Sequence, residues 1–141
     1  MQMAKWLKIS QTGELRYVDL SDSRSGGVFL NAVYREIGCD IIEFVHSRFL
    51  GEHICLMVDA CGKLKDGWPS RINNLASLIY APTLDSIVGD ALLGRFTQLD
   101  DGEIYAVPCE PDFYEGFIKR MCSAFDDVHF VDNGIEVTDD A

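Results

Sequence analysis

The stretch Ile72–Phe96, INNLASLIYAPTLDSIVGDALLGRF, decides the fold, because it places a short helix directly before a strand of the core. Asn73 is suited to begin the helix, since its side-chain oxygen accepts a free backbone N–H of the first turn. Pro82 ends the helical run, and Ile87–Leu93 then predicts a strand interrupted at Gly89. A helix packed beside a strand predicts the centre of an α+β core.

Four further strands precede this stretch. Ala4–Ile9 and Glu14–Leu20 alternate apolar and polar residues around a turn that ends at Gly13, which predicts an antiparallel hairpin. Ile41–His46 is rich in β-branched and aromatic residues and predicts a strand. Ile54–Val58 is continuously apolar and predicts a strand that is buried on both faces.

Apolar residues at helical spacing predict two helices besides the short one. The first covers Val28–Ile37 and ends at Gly38, a residue suited to a helix C-terminus. The last covers Asp112–Phe125 and follows Pro111. The residues expected on the buried helix faces are Phe29, Val33 and Ile37; Leu75, Leu78 and Ile79; and Phe113, Phe117, Met121 and Phe125.

The remaining C-terminal residues supply short β-prone pieces. Glu103–Val107 predicts a strand, and Val128–Val131 and Ile135–Val137 predict two more around the turn Asp132-Asn133-Gly134. The elements predict an α+β fold: a mixed, mostly antiparallel sheet with two or three helices packed on it. We expect residues 1–141 to be a single domain, with a core at 5–97 and an acidic C-terminal extension, 98–141, packed on that core.

Charge is segregated along the chain. The net charge is −11, with 10 basic and 11 acidic residues up to Thr97, against 2 basic and 12 acidic residues from Gln98 onward. The acidic segment repels the phosphates of nucleic acids, so we expect no direct nucleic-acid binding. It favours a partner protein with a basic surface, and its field speeds the encounter between the two.

Cysteine content and hydropathy predict a cytoplasmic protein. The five cysteines are scattered and odd in number, which is typical of reduced, packed thiols. No apolar run approaches the roughly 18 residues that span a bilayer, and residues 1–10 show no signal-peptide pattern. We expect a monomer or small homo-oligomer that does not act at a membrane.

Two residue sets suggest a metal site, and each also has an ordinary structural interpretation. The first is a mixed set of ligands without the spacing of a zinc motif: His46, His53, Cys55 and Cys61. The second suggests calcium but does not match the EF-hand spacing: Asp126, Asp127, Asp132, Asn133 and Glu136. Packing explains the first set and a solvated hairpin explains the second, so we expect neither a metal nor another cofactor.

Two further sets suggest catalysis. Cys61 lies in a turn near Asp59 and becomes a nucleophile if a histidine approaches it. Asp59, Asp85 and Asp90 suggest acid–base chemistry or magnesium binding, although each also suits a turn or an exposed position. The chain contains no Walker loop, no G-x-S-x-G and no H-E-x-x-H. We therefore expect no catalytic residue and favour a protein that is not an enzyme.

Three pieces of the chain carry a family resemblance: Ile37–Glu43, Val58–Leu64, and Asn73–Tyr80 followed by Ile87–Asp90. In order and spacing they resemble the domain-of-unknown-function family 3846, over roughly Lys5–Phe96. That family consists of small proteins common in phages, plasmids and the bacteria that host them. The resemblance implies a mobile-element protein in the bacterial cytoplasm.

The chain departs from the family pattern at two positions. Cys39 stands where a second glycine is expected after Gly38, and Ala60 stands where an acidic residue is common. The family has no assigned reaction, so the resemblance carries no catalytic residue over to this chain. The acidic residues from Gln98 onward lie outside the match.

We interpret the chain as a non-enzymatic acidic binding or regulatory protein of a phage or mobile element. Its target would be a host or phage protein with a basic surface, for example a nucleic-acid or defence enzyme that it inhibits. The predicted partner-binding face consists of Asp126, Asp127, Asp132 and Glu136. The alternative is a weak enzyme or a pocket protein for a small anionic ligand such as a nucleotide, formed by Arg24, Gly26, Gly27, Arg71 and Asn73.

Overall fold

The computed structural model of the protein describes residues 4–47, 49–80 and 85–132. The strands are β1 (Ala4–Ile9), β2 (Glu14–Leu20), β3 (Ile42–His46), β4 (Ile54–Asp59), β5 (Ala91–Gln98), β6 (Ile104–Val107) and β7 (His129–Phe130). The helices are α1 (Gly27–Ile37), α2 (Asn74–Tyr80) and α3 (Pro111–Ala124). Short 3₁₀ turns lie at Ser23–Ser25, Gly62–Leu64 and Trp68–Arg71.

Within these ranges, seven strands form one mixed sheet; six follow the order β3-β4-β5-β1-β2-β7, and β6 pairs with β5. Only β2 and β7 run parallel; the other neighbouring strands are antiparallel. One edge of β5 pairs with β4, and the other edge pairs first with β1 and then with β6. The predicted α+β fold with a mostly antiparallel sheet is confirmed.

Helices cover both faces of the sheet. On one face, α1 buries Phe29, Val33 and Ile37 against Trp6 and neighbouring strand residues. On the other face, α2 and α3 bury their apolar residues against alternate positions of the same strands, such as Leu7. Because strand side chains alternate between the faces, the continuously apolar strand β4 has both of its faces buried, as its sequence predicts.

Gly94 marks the point on β5 where β1 gives way to β6. The Trp6 ring lies directly over Gly94, so that a Cβ at this position would clash with the ring and would also lie 2.8 Å from the Val107 carbonyl oxygen. Trp6 is completely buried, and its Nε1 donates to the Ser21 carbonyl at 3.2 Å. A glycine is therefore needed here for close packing.

The acidic segment that begins at residue 98 is part of the sheet and the core. β6 pairs with β5, and β7 pairs with β2. α3 buries Tyr114, whose hydroxyl donates to the Leu93 carbonyl at 2.6 Å and accepts from the Cys109 N–H at 3.0 Å. Residues 98–132 therefore pack against strands of the core at 5–97.

One strand boundary differs from the sequence prediction. The strand expected at Ile87–Leu93 begins instead at Ala91, because Gly89 has a φ of +87° and breaks the extended chain. Gly89 N–H donates to the Arg71 carbonyl at 2.8 Å, which holds this bend in place. Pro82, the Asp132-Asn133-Gly134 turn beyond residue 132 and the strand predicted at Ile135–Val137 lie outside the described residues.

Two helix faces also differ from the prediction. In α3 the buried residues are Tyr114, Phe117 and Met121, whereas Phe113 and Phe125 are only half-buried. Tyr114, Phe117 and Met121 follow the i, i+3, i+7 spacing of one helix face, so Tyr114 takes the buried position that was predicted for Phe113. In α2, Leu75 and Ile79 are buried, but Leu78 is 42% exposed. The exposed Leu78 contributes to the site described next.

Candidate functional site

Two of the predicted partner-binding carboxylates lie in the turn that joins α3 to β7. Asp126 and Asp127 are both exposed. Asp132 is exposed as well, but the length of β7 separates it from them. Glu136 lies outside the described residues. The structure therefore brings Asp126 and Asp127 together, with Asp132 farther along the same outer edge of the sheet.

The α3–β7 turn is held against the β1–β2 turn by the backbone. The His129 N–H donates to the Gly13 carbonyl at 3.0 Å, and the Val128 N–H donates to the Phe125 carbonyl at 3.2 Å. Gly13 has a φ of +90°, and a Cβ there would clash with the Asp127 carbonyl. Because Gly13 has no side chain, the two turns touch, and this contact fixes the position of Asp127.

A cavity of about 320 Å³ lies beside Asp127, between the two turns and α2; we call it the acidic cleft. Its apolar lining consists of Leu75, Leu78, Phe125 and Val128, and its polar lining of Gln11, Thr12, Gly13, Asn74 and Asp127. An apolar floor beside a carboxylate suits a side chain with an apolar stem and a positive end. Lysine and arginine side chains have this chemistry.

The carboxylates of the chain differ in whether a cation already neutralises them. Each member of the predicted catalytic set is paired with a lysine: Asp59 with Lys65, Asp85 with Lys63, and Asp90 with Lys8, which also pairs with Glu36. Within the described part of the chain, neither Asp126 nor Asp127 takes part in an ion pair. The charges of Asp126 and Asp127 are thus available to a partner.

The acidic residues described after Thr97 do not form one patch. One group, Asp100, Asp101 and Glu103, lies on the hairpin that joins β5 to β6. The pair Asp126 and Asp127 lies next to Gly13, in the turn that follows β1. Because Ile9 at the end of β1 pairs with Ala91 at the start of β5, this turn lies at the opposite end of β5 from the hairpin. The length of β5 therefore separates the acidic cleft from the acidic residues of the β5–β6 hairpin.

The residues of the alternative anion pocket lie in two places. The first place holds Arg24, Gly26 and Gly27, and the second holds Arg71 and Asn73. The first lies beside β6, where the Ala106 N–H donates to Ser23 Oγ at 2.7 Å. The second lies beside Gly89, just before β5. Because Ala106 pairs with Phe96, the two places are about 17 Å apart along β5, at roughly 3.4 Å per residue.

The two arginines of this set lie in different surroundings. Arg24 Nε donates to the Asp22 carboxylate at 3.1 Å, and this hydrogen bond lowers the pKa of Asp22. Arg71 is half-buried, and its carbonyl accepts from the Gly89 N–H at 2.8 Å. The Arg24 side chain is thus already paired with Asp22, and it lies in a different part of the fold from Arg71.

Asn73 is completely buried, and all of its amide groups bind the protein itself. Its Nδ2 donates to the Ile9 and Gly89 carbonyls at 2.9 Å each, and its Oδ1 accepts from the Ala76 N–H at 3.0 Å. The predicted role of Asn73 in capping α2 is confirmed. Asn73 stabilises the fold, and its side chain has no polar group left for a ligand.

The candidate metal ligands and the candidate nucleophile are dispersed. His46 pairs with Cys55 across the β3–β4 ladder, but Cys55 is completely buried, and this burial raises the pKa of its thiol to about 12. His53 is exposed beside Glu52, and Cys61 is half-buried in the turn after β4. In the described ranges, no group of three or more His, Cys, Asp or Glu residues is placed to hold a metal ion.

The sequence indicated that Asp127 is exposed, but it did not reveal the cleft beside it. The cleft joins residues that are far apart in the chain, such as Gln11, Leu78 and Phe125. A local sequence pattern does not predict a contact between such distant residues. Leu78 offered the one local signal, as an apolar residue of a short helix whose other apolar side chains already fill the core.

Among the described residues, no helix combines the length and the apolar character needed to cross a membrane. Comparison with known proteins gives no match: no protein-family profile, no curated protein and no solved structure matches this chain. An inference about function therefore rests on the geometry of the acidic cleft.

Proposed function

We propose that the protein is a non-enzymatic acidic binding protein whose acidic cleft receives a lysine or arginine side chain of a partner protein. The observation that carries the proposal is Asp127, an exposed carboxylate at a cavity floored by Leu75, Leu78 and Val128. The floor packs the methylene stem of the incoming side chain, while Asp126 and Asp127 pair with its charge. Such a buried anchor supplies most of the binding energy of a small interface.

The net charge supports a partner with a basic surface. At −11, the chain attracts cationic proteins over several ångströms and increases their rate of association. Enzymes that act on nucleic acids carry such surfaces, because they bind phosphates. We propose an inhibitor that covers a basic surface of this kind. The resemblance to family 3846 supports the context of a phage or mobile element in the bacterial cytoplasm.

A charge-matched pair of variants tests the acidic cleft. Asp126→Lys/Asp127→Lys reverses the charge of Asp127, which lines the cleft, and of its neighbour Asp126, and Asp100→Lys/Asp101→Lys makes the same change on the distant β5–β6 hairpin. Immobilised proteins are exposed to lysate of a bacterial host, and captured proteins are quantified by mass spectrometry. We expect the cleft variant to lose a captured protein that the hairpin variant retains. Equal loss from both variants would show that only the total charge matters.

The floor of the cleft is tested separately. Leu78→Ser leaves every charge in place but removes an exposed apolar side chain from the floor. If a side-chain stem packs there, we expect the same captured protein to bind about tenfold more weakly, which corresponds to roughly 1.4 kcal/mol. Unchanged affinity of Leu78→Ser in a titration with the purified partner would contradict the proposed mode of binding.

A further inference from the structure

β3 is an outer strand of the sheet and pairs with β4 alone among the described strands. The Ala60 N–H donates to the Ile41 carbonyl at 3.0 Å, and the Ser47 N–H donates to the Ile54 carbonyl at 3.0 Å. In an antiparallel ladder, residues bonded to the neighbouring strand alternate with residues whose backbone groups point away from it. The N–H and C=O groups of Ile42, Phe44 and His46 therefore point away from β4; we call this row the free edge.

The free edge lacks most of the usual protections against strand pairing, and Glu43 is the one carboxylate on β3. Proteins block such edges with lysine, proline or a β-bulge. β3 reads IEFVH, without lysine or proline, and it pairs with β4 residue for residue, without a bulge. An edge of this kind is suited to accept one more strand.

An aromatic stripe, formed by Phe44, His46 and Phe96, lies beside the free edge on the face of the sheet that carries α1. The ring centre of Phe96 lies 5.9 Å from that of Phe44 and 5.2 Å from that of His46. Phe44 remains 39% exposed. Apolar side chains of an added strand that point to this face would pack on the aromatic stripe.

The lysines near the free edge, Lys63 and Lys65, pair with Asp85 and Asp59, which leaves two carboxylates as the charges beside that edge. Glu43 and Asp40 are exposed, and neither takes part in an ion pair with another described residue. Strand alternation places Glu43 on the face opposite Phe44. A second copy of this chain would bring the same negative charges, and another net charge of −11, to the edge. A lysine or arginine on an added strand would neutralise Glu43 instead.

We propose that β3 is a docking strand for an extended segment of a partner protein. The segment adds to the sheet along the free edge, with apolar side chains on the aromatic stripe and, alternating with them, lysine or arginine side chains beside Glu43. Backbone hydrogen bonds to Ile42, Phe44 and His46 hold the segment, and the alternation of its side chains determines which segments bind. β3 and β7 lie at opposite ends of the strand order, so this inference does not depend on the acidic cleft.

A synthetic peptide that alternates lysine with valine and phenylalanine tests the proposal on the full chain. Amide hydrogen exchange, followed by NMR, locates the bound peptide, and we expect slower exchange at Ile42, Phe44 and His46. Phe44→Pro removes an outward N–H without breaking a bond to β4, so we expect at least about tenfold weaker binding. Glu43→Lys is expected to weaken binding through repulsion. Val28→Lys makes an apolar-to-lysine change on exposed α1 surface and is expected to bind normally.

Several outcomes would overturn the proposal. One is equal binding of a peptide with glutamate in place of lysine, and another is protection of amides elsewhere than at the free edge. A third is a dimer in sedimentation equilibrium that protects the free edge without peptide, because the occupant would then be a second copy. Phe44→Ser serves in place of Phe44→Pro if that variant does not melt cooperatively. Asp126→Asn/Asp127→Asn is expected to retain protection at β3, which separates this test from that of the acidic cleft.

Discussion

At the scale of single residues, Asn73 joins three segments of the chain through one buried side chain. Its amide group binds carbonyls of Ile9 and Gly89 and also caps α2. A buried polar group of this kind is favourable only while all its partners are present, because each partner left without a hydrogen bond costs free energy. The sequence predicted the cap from the residue type, but it gave no sign of the two bonds to distant carbonyls.

Replacement of Asn73 by alanine removes the cap and leaves two buried carbonyls without this donor. We expect the free energy of unfolding of Asn73→Ala to fall by about 2–4 kcal/mol. Urea denaturation followed by circular dichroism measures the change. The control is Asn74→Ala at the exposed neighbouring position, which we expect to stay within about 0.5 kcal/mol of the wild type. Similar stability of the two variants would contradict the structural role of Asn73.

At the scale of elements, β5 shows which parts of the fold local sequence patterns specify. The β1–β2 hairpin, the end of α1 at Gly38 and the doubly buried strand β4 were all predicted, because each depends on neighbouring residues. The true start of β5 was missed, since the bend at Gly89 depends on a contact with Arg71, distant in sequence. The succession of β1 and β6 along one edge of β5 was missed for the same reason.

Two glycine-to-alanine changes distinguish a glycine needed for packing from one that weakens a helix. At Gly94, the added methyl group would meet the Trp6 ring and the Val107 carbonyl, so we expect Gly94→Ala to lose roughly 1–3 kcal/mol of stability. At Gly116, inside α3, the nearest atom is a flexible end of Arg120 at 3.5 Å. There we expect alanine to add about 0.5–1 kcal/mol, because it restricts the unfolded chain. Thermal melts compare both variants with the wild type. The melting temperature should fall for Gly94→Ala and rise for Gly116→Ala.

At the scale of the whole molecule, the core contains thiols that resist ionisation. Burial raises the pKa of Cys55 to about 12 and that of Cys109 to about 12, from an ordinary value of 9.0. Burial also raises the pKa of Tyr114 well above its ordinary value. All three groups stay protonated in the folded protein at a pH where the unfolded chain has begun to lose their protons. Alkaline conditions therefore favour the unfolded chain.

The direction of this pH dependence follows from the sign of the pKa shifts. Stability contributed by the protonated thiols is complete below about pH 9 and is lost progressively as the pH rises towards about 12. We expect the urea midpoint to fall over this range. In Cys55→Ala/Cys109→Ala, the decrease should be smaller, although the variant starts from a lower stability. An identical pH profile for the two proteins would show that other groups cause the alkaline loss.

The succession of β1 and β6 along one edge of β5 also has a consequence during synthesis on the ribosome. The central strand β5 pairs with β1, β4 and β6, which are translated early, midway and late. A nascent chain that has not yet reached Ile104 leaves the distal half of β5 without its partner on that side. Until β6 emerges, these residues lack their native partner on that edge, and we expect the exposed edge to be prone to aggregation.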